Sequence, residues 1–139
     1  MEDAASCYIG RVVDRPWVWG ETDCTSWLAG WVAERTGVDV GASLRSRGRS
    51  RRSAARIVSD AGGLASLCDG LMREAGCRQT RWPQDGDVGV IRIKIGRRLR
   101  SMAALRADEK WVIRVQDGIL AVPVSALVAW RMPWAEREE

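Results

Sequence analysis

The sequence contains no histidine, and that absence closes off more functions than any motif opens. Imidazole is the commonest general base near neutral pH and a leading zinc ligand, so acid–base and metal chemistry both lose their usual side chain. Phenylalanine is also missing, and a single tyrosine stands against eight tryptophans, so the large core and interface anchors must be Trp. Lysine occurs only at Lys94 and Lys110, so nearly all the positive charge is guanidinium, which binds carboxylate and phosphate in bidentate fashion. No run of about 18 apolar residues occurs, so no membrane-spanning helix is expected. Met1-Glu2-Asp3 is acidic and leads into no apolar segment; no signal peptide is expected, and synthesis ends in a cytoplasm.

The four cysteines are Cys7, Cys24, Cys68 and Cys77, with no C-x-x-C pair among them. With no His to complete a mixed site, neither a metal nor a cofactor is expected. A reducing compartment also disfavours a disulfide, and Cys68 and Cys77 read as small core hydrophobes.

What is present fits one globular α+β domain over residues 1–139. Apolar residues are 46% and charged residues 29%, enough to build a core and too balanced for a disordered chain. The net charge is +4, unevenly placed. Arg45, Arg47, Arg49, Arg51, Arg52 and Arg56 form one cluster, a candidate surface for partner contact. Arg97, Arg98 and Arg100 form a second.

Along the chain, Cys7–Val13 reads as an N-terminal strand or arm leading to Arg15-Pro16. Thr22-Asp23 offers caps, and Cys24, Trp27, Leu28, Trp31 and Val32 follow helical spacing up to a stop at Gly37. Val38 to Arg52 reads as irregular. Helices are expected over Ser53–Ala61 and Leu64–Ala75, separated by Gly62-Gly63, and the second is ended by Gly76. The texture then turns to strands: Val88–Ile95, a turn over Gly96–Arg100, Met102–Ala107, Lys110–Val115, and Ile119–Val124 after the turn Gln116-Asp117-Gly118. Ser125–Val128 suggests one helical turn and Ala129–Met132 a last strand. The expected plan is a helical part at about 22–76 packed on an antiparallel sheet part at about 86–132, with a frayed tail over 135–139.

Cys24 carries the one mechanistic argument. A thiol at the first turn of a helix meets unpaired N–H groups and the positive end of the dipole, both of which favour a thiolate. A nucleophile also needs a base, and Asp23 is a poor one, because carboxylates have too little basicity for the task.

The run Arg15-Pro16-Trp17-Val18-Trp19-Gly20-Glu21-Thr22-Asp23-Cys24, followed by the Trp27–Trp31 helix, resembles NlpC-type cysteine peptidases. It is most similar to their small relatives in tail modules of phages, prophages and gene transfer agents. Further shared features are Gly62-Gly63-Leu64, Gly86-Asp87-Val88 and Ala129-Trp130-Arg131. The resemblance covers about Arg15 to Met132 and implies a papain-like fold. In active relatives the Cys at the position of Cys24 pairs with a His on the strand after the G-D-V strand. The matching stretch here, about Arg100–Arg106, has none, so Asp23 and Cys24 are expected to be vestiges and the chain not an enzyme.

What the resemblance implies is an inactive structural or assembly protein of a phage-type tail tip. It would contact other tail proteins and reside in the virion after assembly in the host cytoplasm, with no small-molecule substrate. One alternative is a cysteine peptidase or amidase that acts on peptidoglycan as the genome enters the host cell. The other is an arginine-rich nucleic-acid binder, which lacks any recognised reading module.

Overall fold

In the computed structural model, residues 4–18, 23–42, 44 and 50–132 are described. Among them run helices α1 (Ala4–Val12), α2 (Cys24–Thr36), α3 (Arg51–Asp60) and α4 (Leu64–Glu74). Strands follow as β1 (Arg78–Gln79), β2 (Val88–Ile95), β3 (Arg98–Ala107), β4 (Lys110–Val115), β5 (Gly118–Val122) and β6 (Val128–Arg131). The sheet order is β1-β6-β2-β3-β4-β5, antiparallel at every pairing. The α+β plan, helices first and antiparallel sheet after, is therefore as expected. No described helix is long and apolar enough to cross a membrane.

Local chemistry explains the helix limits. Asp23 caps α2 by accepting from the Ser26 N–H at 3.0 Å, and Gly37 closes it at φ 80°, its N–H donating to the Ala33 carbonyl. Trp27, Leu28, Trp31 and Val32 are buried on one face, as the spacing requires. Ser50 and Ser53 form a capping box that starts α3 at Arg51.

The expected arm at Cys7–Val13 is instead most of helix α1. Its face of Ala5, Tyr8 and Val12 is buried, and the Tyr8 hydroxyl donates to the Trp27 carbonyl at 2.6 Å. A Cβ on Gly30 would meet that hydroxyl at 2.5 Å, so the glycine lets α1 seat on α2. The turn expected over Gly96–Arg100 shrinks to Gly96-Arg97, with Gly96 at φ 62°, and β3 begins at Arg98 rather than Met102. The helical turn expected at Ser125–Val128 does not form, and Val128 is the first residue of β6. Strand β1 was not anticipated; two exposed residues leave no pattern to read.

Alternation along the strands divides the sheet between two cores. Val88, Val90, Ala103, Leu105 and Val112 join the helices in the larger one. Ile91, Ala104, Trp111, Ile113 and Ala129 form the second on the opposite face, with no helix residue in it among the described residues. There the Trp111 ring lies against Gly89, where a Cβ would come within 2.8 Å of it.

Two buried charges tie the layers together. Asp87 accepts from the backbone N–H groups of Gln84 (2.8 Å) and Met132 (3.1 Å) and from Arg131 Nε (3.2 Å). Arg114 of β4 donates to the carbonyls of Val13 (3.1 Å) and Arg15, fixing the chain that leaves α1. Trp31 Nε1 donates to the Gly86 carbonyl at 2.8 Å, joining α2 to the turn before β2.

Candidate functional site

A cleft of about 640 Å³ opens between the start of α2, helices α3 and α4, and the outer half of β3. Cys24 stands in its wall beside Asp23 and Thr25, while Leu44, Ile57, Val58, Leu64 and Leu67 give it an apolar lining. Facing them are five consecutive residues of β3, Arg98 to Met102. Over one face of a sheet only every second residue would line a cavity, so this cleft runs along the edge of β3. The cleft thus joins Cys24 to part of the stretch where the resemblance to NlpC-type peptidases places a histidine. The side chains there are Arg100, Ser101 and Met102.

The thiolate-favouring effect of a helix start does not prevail at Cys24. Its residue is half-buried, and desolvation pushes the thiol pKa up, outweighing the lowering hydrogen bond with the Thr25 hydroxyl, 3.8 Å from Sγ. The Asp23 carboxylate raises it further. Helix position alone would predict a thiolate; burial and a neighbouring anion reverse that prediction. Cys68 of α4 is buried and pushed up to about 12, first by desolvation and then by its proximity to Cys24. Cys77 is likewise buried, at about 11, so both behave as the core hydrophobes expected of them.

Asp23 is buried and serves α2 as its cap, which orients it to the helix rather than to a substrate. The chain has no imidazole, the side chain that most often takes a proton from a cysteine nucleophile near neutrality. Among the described residues no three His, Cys, Asp or Glu side chains come together as a metal donor set.

The arginine cluster is only partly in view. Arg45, Arg47 and Arg49 lie outside the described residues, while Arg51, Arg52 and Arg56 are exposed on α3. Of these, Arg51 lines the cleft, as do Arg98 and Arg100 of the second cluster. Among the described residues none of Arg51, Arg98 and Arg100 has an ion-pair partner. The sequence marks the two clusters as separate, and the fold brings one member of the first and two of the second to the same cleft.

Beyond Ile91↔Met102 the β2–β3 pairing runs on to Ile95↔Arg98, whereas β4 pairs with β3 only over Leu105 to Ala107 and β6 with β2 only over Val88 to Val90. Residues 92–101 therefore form a two-stranded ribbon carrying Arg92, Lys94, Arg97, Arg98 and Arg100 with no acidic residue. Sequence reasoning missed this because it placed a turn there. The signal available was the unbroken apolar–basic alternation from Arg92 to Ile95.

Residues 1–132 match one protein family, described as Domain of unknown function (DUF6950). No curated protein and no solved structure matches the chain.

Proposed function

Because the chain belongs to the DUF6950 family, whose description carries no activity, we propose its function from the site: a catalytically inactive, peptidase-like structural or assembly protein of a phage-type tail, in the tail tip region. One observation carries the inactive part of this reading. Cys24 lies at a helix start inside a cleft, its thiol is pushed up rather than down, and the chain has no imidazole to deprotonate it. The tail setting rests on the likeness of the Arg15–Cys24 run and its companion motifs to NlpC-type relatives in tail modules. The partners are other tail proteins and the final location is the virion.

Co-expression with the products of its own operon, followed by affinity capture, tests the assignment. The chain should come down with a hub or tip subunit, and Cys24→Ala should be captured as well as the native protein. A chain that stays monomeric and captures no operon product sinks the tail reading. Muropeptide cleavage that disappears in Cys24→Ala sinks the inactive one and restores the peptidoglycan amidase.

A further inference from the structure

We propose that the cleft is a docking groove for an extended, acidic and aliphatic segment of a partner protein, which adds as a strand along β3 at Arg98–Met102. The inference builds on the non-catalytic reading above, since the bound segment is held and not cut.

Three observations converge on that occupant. The first is the backbone. Among the described residues no strand pairs with the far side of β3 over Arg98–Met102, although β2 pairs with its near side throughout. Alternate N–H and C=O groups of β3 therefore point into the cleft, where only an extended chain satisfies them in sequence. The second is charge. Arg51 of α3 and Arg98 and Arg100 of β3 all line the cleft, none has an ion-pair partner among the described residues, and the one carboxylate in the described lining, Asp23, is already committed to its helix. Guanidiniums in that state favour carboxylates on the incoming segment, which they meet in fork geometry. The third is the apolar wall of Ile57, Val58, Leu64 and Leu67, together with Leu99, which is 64% exposed. Phosphate has no use for aliphatic surface, whereas alternate side chains of an added strand bury against it.

The probe is an acetylated, amidated octapeptide alternating glutamate with leucine and valine, titrated against the full chain by calorimetry in about 0.15 M salt. The expected result is a Kd below about 1 mM, weakened about tenfold or more in Arg98→Ala/Arg100→Ala. Those two arginines are exposed, so the variant should melt where the native chain does. Two N-methylated versions add a readout that charge alone would not move. Blocking one alternating set of peptide amides should abolish binding, while blocking the other set should leave it, as strand addition requires.

No binding, equal binding of a lysine-for-glutamate peptide, or equal sensitivity to both N-methyl patterns overturns the proposal. Tighter binding of a duplex DNA oligonucleotide, with affinity that collapses as salt rises, overturns it in favour of nucleic acid. Mass spectrometry of the recovered peptide keeps the two readings apart. An intact peptide leaves both standing, and Cys24-dependent cleavage of a bound peptide removes the inactive reading while the groove remains.

Discussion

A thiol at a helix N-terminus gains from the dipole only while water or a donor can stabilise its charge. Cys24 loses more by desolvation than it gains, so its thiolate fraction at any given pH is lower than that of free cysteine. In a Cys7→Ser background, which removes the exposed thiol, alkylation of Cys24 followed by mass spectrometry should lag free cysteine by more than about tenfold near pH 7.5. The rate should climb only at higher pH; reaction faster than free cysteine would contradict the burial argument. Asp87 makes a complementary case. It accepts three hydrogen bonds, yet burial still holds its carboxyl above the ordinary range. The folded chain therefore keeps this proton to higher pH than the unfolded chain does. Its contribution is fully present below the unfolded value near about 4 and declines as pH rises through the raised one. Asp87→Asn should cost about 2–4 kcal/mol, because an amide turns a donor toward groups that need an acceptor. Its deficit in urea unfolding should shrink as pH climbs from below about 4 through the raised value. A deficit that grows with pH would reverse the sign argued here.

Elements differ in how much of themselves the sequence displays. Helix α2 was legible because its cap, apolar spacing and Gly37 stop all agree, and β2 and β4 because branched apolar runs of strand length have few other uses. Helix α1 was not, since Cys7-Tyr8-Ile9 reads as extended and its stripe is short. What makes it a helix is tertiary: Tyr8 packs on Trp27 and Trp31, with ring centroids 6.0 and 5.5 Å away. The outer half of β3 was hidden for the opposite reason, being exposed and basic with a neighbour on only one side. At the site, the Asp23-Cys24 helix start could be read in advance, but its pairing with Arg98–Met102 and Arg51 required the fold. The β3–β4 turn shows local chemistry overruled. Asp108 and Glu109 both hold positive φ, at 52° and 59°, a conformation that favours Asn-Gly or Asp-Gly. Glu109→Gly should therefore stabilise the chain by about 0.5–1 kcal/mol, read as a higher urea midpoint at unchanged slope. The N–H of residue 109, which donates to Asp85 Oδ1 at 3.2 Å, survives the change.

For the whole molecule, the division of labour is between two cores that carry stability and an exposed ribbon tip, residues 94–99, that adds little. Lys94 to Leu99 are exposed throughout and pair only with each other. Replacing these six residues with Asn-Gly joins Ile93 to Arg100 through a two-residue hairpin loop and should shift Tm by less than about 5 °C. Peptide binding at the cleft should fall away in the same variant, because Arg98 and Leu99 are gone. A large drop in Tm would mean that the ribbon is structural and the cleft merely its by-product.

The Arg114 guanidinium reaches back 101 and 99 residues to the carbonyls of Val13 and Arg15. A ribosome must deliver β4 as far as Arg114 before those carbonyls have their donor, so the segment behind α1 waits for a strand made long after it. Any product stalled earlier carries a loose thread behind its first helix. That is where a protease would find a failed copy.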